Sequence, residues 1–272
     1  MGSWSPNEGY IRGEKALNPV RVTILGASGP YPGSDDLPSV IVCYGRTRLL
    51  LDSGEGTQHR VHEAGFSVAS IRYILITHMH GDHILGLLPL LQSRSLSGTE
   101  TEITIIGPEG IRDYIVENFK LLHFKPRFDV TVIELKGDDE IRLSNDITVY
   151  VVGLDHGINT YGYVLSFGGK RTLAYITDTR PVPRKLSSTV EEPDVLIHDA
   201  TLSSSDSDLA LEYKHSTAAE AAFVAKEIKA KMLLLFHISQ RYRHNYEDHL
   251  REARKIFKYA WVAEKFMRIM IK

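Results

Sequence analysis

Short apolar runs, separated by loops that contain glycine and proline, recur along the whole chain. Runs of this length that end at turn-forming residues are typical of strands. They predict strands over Val20–Leu25, Val40–Tyr44, Arg48–Asp52, Tyr73–Thr77, Ile103–Ile106, Val130–Leu135, Ile147–Val152, Gly162–Phe167, Thr172–Thr177, Val195–His198 and Leu233–Phe236. Longer stretches with one apolar side predict helices over Gly56–Ala64, Ile84–Gln92, Pro108–Leu122, Ala218–Ala230 and Glu247–Ala260. Many short strands interspersed with helices indicate a layered α/β fold.

These elements follow one another without an obvious domain boundary. The chain shows no composition break, low-complexity tract or proline- and serine-rich linker. Its first residues are polar and contain glycine, proline and asparagine, which predicts an irregular lead-in over residues 1–19. We therefore expect one domain over residues 20–272.

Composition excludes several classes of protein. Hydrophobic residues make up 43% of the chain and charged residues 24%, as in ordinary globular domains. No apolar run approaches the roughly 20 residues that span a bilayer, so we expect no membrane segment. Cys43 is the only cysteine, which excludes an intrachain disulfide and, with no secretory signal, predicts a cytoplasmic protein. The net charge of −2 does not indicate nucleic-acid binding, but the 12 histidines suggest metal or proton chemistry.

The most informative segment is HMHGDH, which directly follows the predicted strand Tyr73–Thr77. Because side chains alternate along an extended chain, His78 and His80 project to the same side. A turn at Gly81 then brings Asp82 and His83 toward a second point nearby. One metal ion cannot easily take four ligands from so short a segment, so the spacing favours two adjacent ions.

Further ligand-capable residues stand where other predicted strands end. His156 follows TVYVVGLD, Asp178 follows TLAYIT, Asp199 follows VLIH, and His237 follows MLLLF. Ligand sites of α/β sheets collect at the carboxyl ends of strands. Each residue has a simpler interpretation, such as a turn residue for Asp178 or a cap for His156, but together they predict one metal site.

These motifs resemble a known family. THMHGDH resembles the His-x-His-x-Asp-His motif of the metallo-β-lactamase superfamily. The segments LLLDSGEGTQHRVHEAG, ILITHMHGDHILGLLPLLQS, LIHDATL, KHSTAAEAAFVAKE and FHISQRY resemble ribonuclease Z, the tRNA 3′-processing endonuclease, in order and spacing. The resemblance runs from about Val20 to about Tyr242. It implies a four-layered αββα sandwich with a two-metal site at one edge of the paired sheets.

The resemblance also implies a role for each candidate residue. His78, His80 and His156 would hold one metal ion, and Asp82, His83 and His237 the other. Asp178 would bridge both ions, and Asp82 would also orient the attacking hydroxide. His215, in the HST segment, would donate a proton to the leaving group with Asp199 as its partner. A ligand set of His and Asp without Cys suits two zinc ions, and manganese or iron would also be accepted.

Two features depart from the family pattern. Family members usually carry glutamate where this chain has Asp199, which is one methylene shorter. Many of them also insert a long arm that grips tRNA between the strands predicted at Gly162–Phe167 and Thr172–Thr177. Here only a short GGK turn joins these strands, so the arm is absent at that place.

We therefore expect a binuclear metal-dependent phosphodiesterase that cleaves precursor tRNA at the 3′ end and, by resemblance, forms a homodimer. Arg241 would contact a substrate phosphate, whereas a solvated charge is the favoured interpretation of the other basic residues nearby, Arg180, Arg184, Lys185 and Arg243. An alternative, favoured by the missing arm, is a phosphodiesterase for cyclic nucleotides or other small phosphodiesters. A non-catalytic, metal-stabilised partner of RNA or protein is a third interpretation, against which the complete ligand set and His215 argue.

Overall fold

The computed structural model describes residues 18–243 and 245–272. Residues 1–17 of the lead-in expected over residues 1–19 lie outside the described residues. The strands are β1 (Val20–Gly26), β2 (Ser28–Gly29), β3 (Ser39–Tyr44), β4 (Thr47–Leu51), β5 (Tyr73–Leu75), β6 (Ile103–Pro108), β7 (Val130–Leu135), β8 (Asp139–Ser144), β9 (Ile147–Gly153), β10 (Tyr161–Phe167), β11 (Arg171–Ile176), β12 (Val195–Asp199), β13 (Leu233–Phe236), β14 (Ile238–Ser239), β15 (Ala260–Val262) and β16 (Arg268–Ile271). The α-helices are α1 (Thr57–Glu63), α2 (Gly81–Ile84), α3 (Leu87–Leu96), α4 (Ile111–Leu121), α5 (Pro183–Thr189), α6 (Ser207–Glu212), α7 (Ala218–Glu227) and α8 (Tyr246–Arg254).

The strands form two seven-stranded sheets and one small pair. The first sheet has the order β16-β1-β3-β4-β5-β6-β7, and the second has the order β15-β13-β12-β11-β10-β9-β8. In each sheet an antiparallel part adjoins a parallel part: β4 to β7 run parallel in the first, and β11, β12, β13 and β15 in the second. The two-stranded pair joins β2 to β14 in parallel.

Three apolar clusters separate four layers. The central cluster fills the space between the sheets with residues of both, such as Val42 of β3 and Tyr163 of β10. A second cluster packs α1, α3 and α4 on the outer face of the first sheet, and a third packs α5, α7 and α8 on the outer face of the second. The order of layers is thus helix, sheet, sheet, helix, which confirms the predicted αββα sandwich.

Several predicted boundaries were wrong, for reasons that lie in tertiary packing. The helix expected over Ile84–Gln92 is interrupted at Gly86, whose N–H donates to Ser53 O at 2.9 Å and whose backbone passes the loop at Gly54 too closely to admit a Cβ. The helix expected from Pro108 starts at Ile111 instead, because β6 stays paired with β7 as far as Pro108. The last predicted helix ends at Arg254, since Ala260 already belongs to β15.

Strand β8 was not predicted. Its sequence, DEIRLS, is largely polar, and the strand lies at the edge of the second sheet with β9 as its partner. Only Ile141 and Leu143 alternate with polar residues and pack on the central cluster, and two apolar positions are too few to predict a strand.

A tight turn joins β10 to β11 at the place where many family members insert a long arm. Gly168 and Gly169 have φ of 59° and 67°, a left-handed conformation that glycine adopts without steric cost. The two strands pair from Phe167↔Arg171 onward, which confirms that no long arm stands between them.

Among the residues that the structure describes, no helix is both long and apolar enough to cross a membrane.

Candidate metal centre

The site forms where strands of both sheets end at one edge of the sandwich. Asp52 follows β4 and the HMHGDH segment follows β5. His156, Asp178 and His237 follow β9, β11 and β13, Asp199 ends β12, and His215 lies in the loop before α7. Asp52, Asp178 and His237 have positive φ, of 55°, 52° and 61°. Non-glycine residues in this region are strained, and such strain concentrates at functional sites. The sharp turns direct these side chains back across the strand ends.

The first predicted ligand group is assembled. His80 Nδ1 lies 3.0 Å from His78 Nε2 and 3.3 Å from His156 Nε2. These three nitrogens converge on one point from two segments that are distant in sequence. Burial, together with the neighbouring His83, holds the pKa of His78 well below its ordinary value, and burial also lowers the pKa of His80 and His156. All three imidazoles are therefore kept neutral, the form that binds metal.

The second predicted group lies directly beside the first. His237 Nε2 is 3.1 Å from Asp82 Oδ2 and 3.4 Å from His83 Nε2. The Asp178 carboxylate stands between the groups: its Oδ2 is 3.2 Å from His83 Nε2, and its Oδ1 is 3.9 Å from His78 Nε2. This is the position that a bridging carboxylate requires.

For three of the histidines, hydrogen bonds on the side of the ring away from the cluster show that the Nδ1 atom carries the proton. Thr201 Oγ1 donates to Asp199, so it accepts the Nδ1–H of His237 at 2.9 Å. The Nδ1–H of His83 donates to Asp52 at 2.8 Å, and that of His156 donates to Lys214 O at 3.2 Å. In its neutral form, each of these rings therefore presents an unprotonated Nε2 to its neighbours.

This arrangement fits a cation. When both rings are neutral, His83 Nε2 and His237 Nε2, 3.4 Å apart, offer only lone pairs to each other, which no hydrogen bond can satisfy. Burial opposes protonation of His83, but Asp178 and Asp52 raise its pKa well above the ordinary value. The same negative field attracts a divalent cation, which competes with that proton for Nε2. The donor set is His and Asp without Cys and suits divalent metal ions.

Sequence reasoning missed Asp52 as part of this site. Its carboxylate is fully buried and accepts hydrogen bonds from Thr77 N at 2.7 Å, Tyr175 OH at 2.9 Å and the His83 ring. Asp52 therefore fixes the ring orientation of His83 from behind, without facing the other ligands. The available signal was an acidic residue at the end of the apolar run LLLD.

The predicted proton donor lies beside the ligands. His215 Nδ1 is 2.9 Å from Asp199 Oδ2 and 3.9 Å from the Oδ1 of Asp178. Although burial opposes it, the Asp199 carboxylate raises the pKa of His215 to about 9. Asp199 is itself held by the backbone N–H groups of Thr179 and Thr201, both at 2.9 Å. Aspartate thus reaches His215 in spite of its shorter side chain.

Arg180 fastens the loop that carries His215. Its guanidinium donates to the backbone carbonyl of His215 and forms a bidentate pair with Glu220, which closes the capping box of α7 with Thr217. Ser216 also donates to Thr179 O. The segment that begins with Asp178 therefore determines where His215 stands.

Arg241 does not enter the cluster. It is exposed on a short turn after β14, four residues beyond His237.

Known proteins resemble this chain over most of its length. A family model described as a beta-lactamase superfamily domain matches residues 47–238. Ribonuclease Z of Sulfurisphaera tokodaii is 31% identical over 93% of this chain and 99% of its own length, and that of Metallosphaera sedula is 32% identical over 90% and 97%. The crystal structure of human short-form tRNase Z has 30% identity and a TM-score of 0.82, covering 93% of this chain and 99% of the human one.

The two alignments span 293 and 286 positions, more than the 272 residues of this chain, so these relatives carry insertions that it lacks. Identity at this level over nearly complete chains, with the same fold, settles the relationship. The chain belongs to the ribonuclease Z family of the metallo-β-lactamase superfamily.

Proposed function

We propose that this protein is a metal-dependent endoribonuclease that cleaves precursor tRNA at the 3′ end, as the names of its relatives indicate for them. The observation that carries the proposal is the Asp178 carboxylate, which lies between the two imidazole groups and 3.9 Å from His215. A two-metal phosphodiester site needs these parts together: two ligand groups, a bridge and a proton donor.

Two divalent cations, most simply zinc, would be held by His78, His80, His156, Asp82, His83, His237 and Asp178. When bound, they supply positive charge to the phosphate and lower the pKa of water. The protein's own residues do the rest. Asp82, whose pKa is held low by His83 and His237 although burial opposes this, remains a carboxylate and can orient the attacking water.

His215 would supply the proton that the leaving group needs. Water attacks phosphorus and releases one proton to solvent, the bond from phosphorus to O3′ breaks, and the protonated imidazole of His215 gives its proton to O3′. A proton from solvent then restores the imidazolium of His215. The products are a 3′-hydroxyl on the tRNA and a 5′-phosphate on the trailer. Asp199 keeps the Nδ1–H of His215 occupied, so Nε2 is the nitrogen that donates to substrate.

A second candidate function retains this chemistry with a smaller substrate. The tight β10–β11 turn, with no arm, is the observation that favours small phosphodiesters. Family membership favours tRNA. Arg241 is exposed close to His237 and is proposed to contact a phosphate of either substrate.

The deciding experiment compares substrates on one metal-loaded preparation. We expect a 3′-extended precursor tRNA to be cut at a single position, with a 3′-hydroxyl end, much faster than 3′,5′-cyclic AMP or bis(p-nitrophenyl) phosphate. The His215→Ala variant is the matched control for a contaminating nuclease. Efficient hydrolysis of cyclic AMP with an uncut precursor would assign the second function instead.

Metal content, assembly and location complete the proposal. We propose two metal ions per chain about 3.5–4 Å apart, the usual spacing of two-metal sites. Elemental analysis below one ion per chain in a loaded sample would contradict this. We further propose a cytoplasmic location, supported by Cys43 being the only cysteine of the sequence. We also propose a homodimer, supported by two exposed leucines, Leu85 before α3 and Leu96 at its last position. Light scattering of wild type and Leu96→Asp tests the dimer.

A further inference from the structure

The loop between β1 and β3 is fastened to the strand end that carries His237. Strand β2 pairs in parallel with β14, with Ile238 opposite Ser28 and Ser239 opposite Gly29. His237 N donates to Ala27 O at 2.8 Å. This loop therefore follows the metal edge rather than the general surface of the first sheet.

Two glycines bring the loop into direct contact with the site. A Cβ on Gly29 would lie only 1.9 Å from His237 Nε2, the nitrogen that faces the other ligands. A Cβ on Gly33 would lie 2.0 Å from Cδ of Gln240. The backbone at both positions passes so close to the segment after β13 that any side chain would be excluded.

Tyr31 stands between these two anchored points. Its side chain is 70% exposed, more than any other tyrosine, phenylalanine or tryptophan that the structure describes. Its Cα is two residues from Gly29, which places it within about 7.6 Å of that Cα. The backbone of an exposed aromatic residue thus lies two residues from the glycine that contacts the metal-facing nitrogen of His237.

We propose that Tyr31 is a stacking platform for a nucleobase next to the scissile phosphodiester. Every base has a face that stacks on an exposed aromatic ring, and tyrosine offers such a ring beside the strand end that carries His237. Of the two carboxylates in this loop, Asp36 has its charge compensated by Lys265 at 2.7 Å and Arg60 at 3.9 Å, which reduces the repulsion of RNA. This subsite rests on the proposed function and names the part of the RNA that the loop would hold.

The test removes the aromatic ring by substitution of Tyr31, and the nucleobase by use of abasic RNA, in separate measurements. Cleavage of a precursor RNA is compared with cleavage of the same RNA carrying one abasic nucleotide, placed on either side of the scissile bond in two substrates. Tyr31→Ala should lower kcat/KM on the intact RNA by roughly 5- to 150-fold, the loss that corresponds to about 1–3 kcal/mol for one stacked base. Tyr31→Phe should stay close to wild type. On one of the abasic substrates, Tyr31→Ala and wild type should be equal.

Tyr259→Ala is the matched control, because Tyr259 is 54% exposed and its carbonyl bonds to Leu233 at the end of β13 opposite His237. It should leave cleavage unchanged. An unaltered kcat/KM for Tyr31→Ala, or an equal loss on intact and both abasic RNAs, would overturn the subsite while leaving the proposed function intact. If wild type cuts none of the RNAs, the proposed function fails and the subsite fails with it.

Discussion

Replacement of Asp52 by asparagine should separate the orientation of a ligand from the ligand itself. The buried Asp52 carboxylate accepts from Thr77 N, Tyr175 OH and the Nδ1–H of His83. In Asp52→Asn, the amide oxygen can still accept from Thr77, but the amide N–H₂ then faces the His83 ring. To accept a hydrogen bond from this amide, His83 Nδ1 must lose its proton. The neutral ring then carries its proton on Nε2, the nitrogen that is needed for metal.

The magnitude follows from this change of tautomer. Loss of an orienting partner of a metal-ligating histidine typically costs about 10–100-fold in metal affinity, which corresponds to about 1.4–2.7 kcal/mol. Asp52→Ala should cost more in folding stability, because it leaves up to three buried donors without an acceptor at about 1–3 kcal/mol each. We expect a loss of about 3–5 kcal/mol for Asp52→Ala, the range for breaking a buried pair.

The assay measures zinc affinity by competition with a chelator of known affinity, and stability by urea unfolding of the metal-free protein. Asp146→Asn is the matched control, since Asp146 is exposed in a turn. For Asp52→Asn, only the ion bound by His83 should weaken. If Asp52→Asn held both ions as tightly as wild type, the orienting role of Asp52 would be wrong.

Substitutions at three further residues test their individual roles. His215→Ala should leave both metals bound and slow cleavage of the ribose leaving group by roughly 10²–10⁴-fold, but slow release of p-nitrophenolate much less; equal losses would assign His215 to positioning the phosphate, and lower stability alone would make it structural. Arg180→Ala should show the same selectivity with a loss of about tenfold, since a charged hydrogen bond contributes about 1.5–3 kcal/mol, and Arg180→Lys should recover part of it; a similar loss with both leaving groups would exclude this positioning role. His80→Ala should abolish activity, lower the melting temperature and reduce bound metal by elemental analysis, whereas inactivity at full metal content would show that His80 is not a ligand.

Most strands and the αββα architecture could be predicted because buried strands leave an unambiguous apolar signal. Val130–Leu135 and Leu233–Phe236 were predicted with the bounds that the structure has. Helix ends were harder, because Gly86 and Ala260 take their conformation from contacts with distant segments rather than from their neighbours in sequence.

The same distinction applies to the site. The ligand candidates could be identified because each is a His or Asp at a strand end, and the structure brings them together as expected; their roles remain proposals. The residues that hydrogen-bond to these ligands could not be identified from the sequence, because threonine, tyrosine and arginine are common at such positions. Thr201 and Arg180 acquire their significance only from segments that lie far away along the chain, such as His237 for the first and Glu220 for the second.

The candidate ligands are divided between the halves of the sandwich. His78, His80, Asp82 and His83 follow the first sheet, whereas His156, Asp178 and His237 follow the second. At this edge Tyr161 N donates to Thr77 O at 3.0 Å and Tyr163 OH to Ile76 O at 2.5 Å, so the sheets are already joined there by polar bonds. Any ion bound here acts as a cross-link between two separately hydrogen-bonded sheets, and the halves cannot part at this end without releasing it. Packing of the two sheets and binding of metal are therefore thermodynamically linked. The free energy needed to separate the sheets rises with the concentration of free metal.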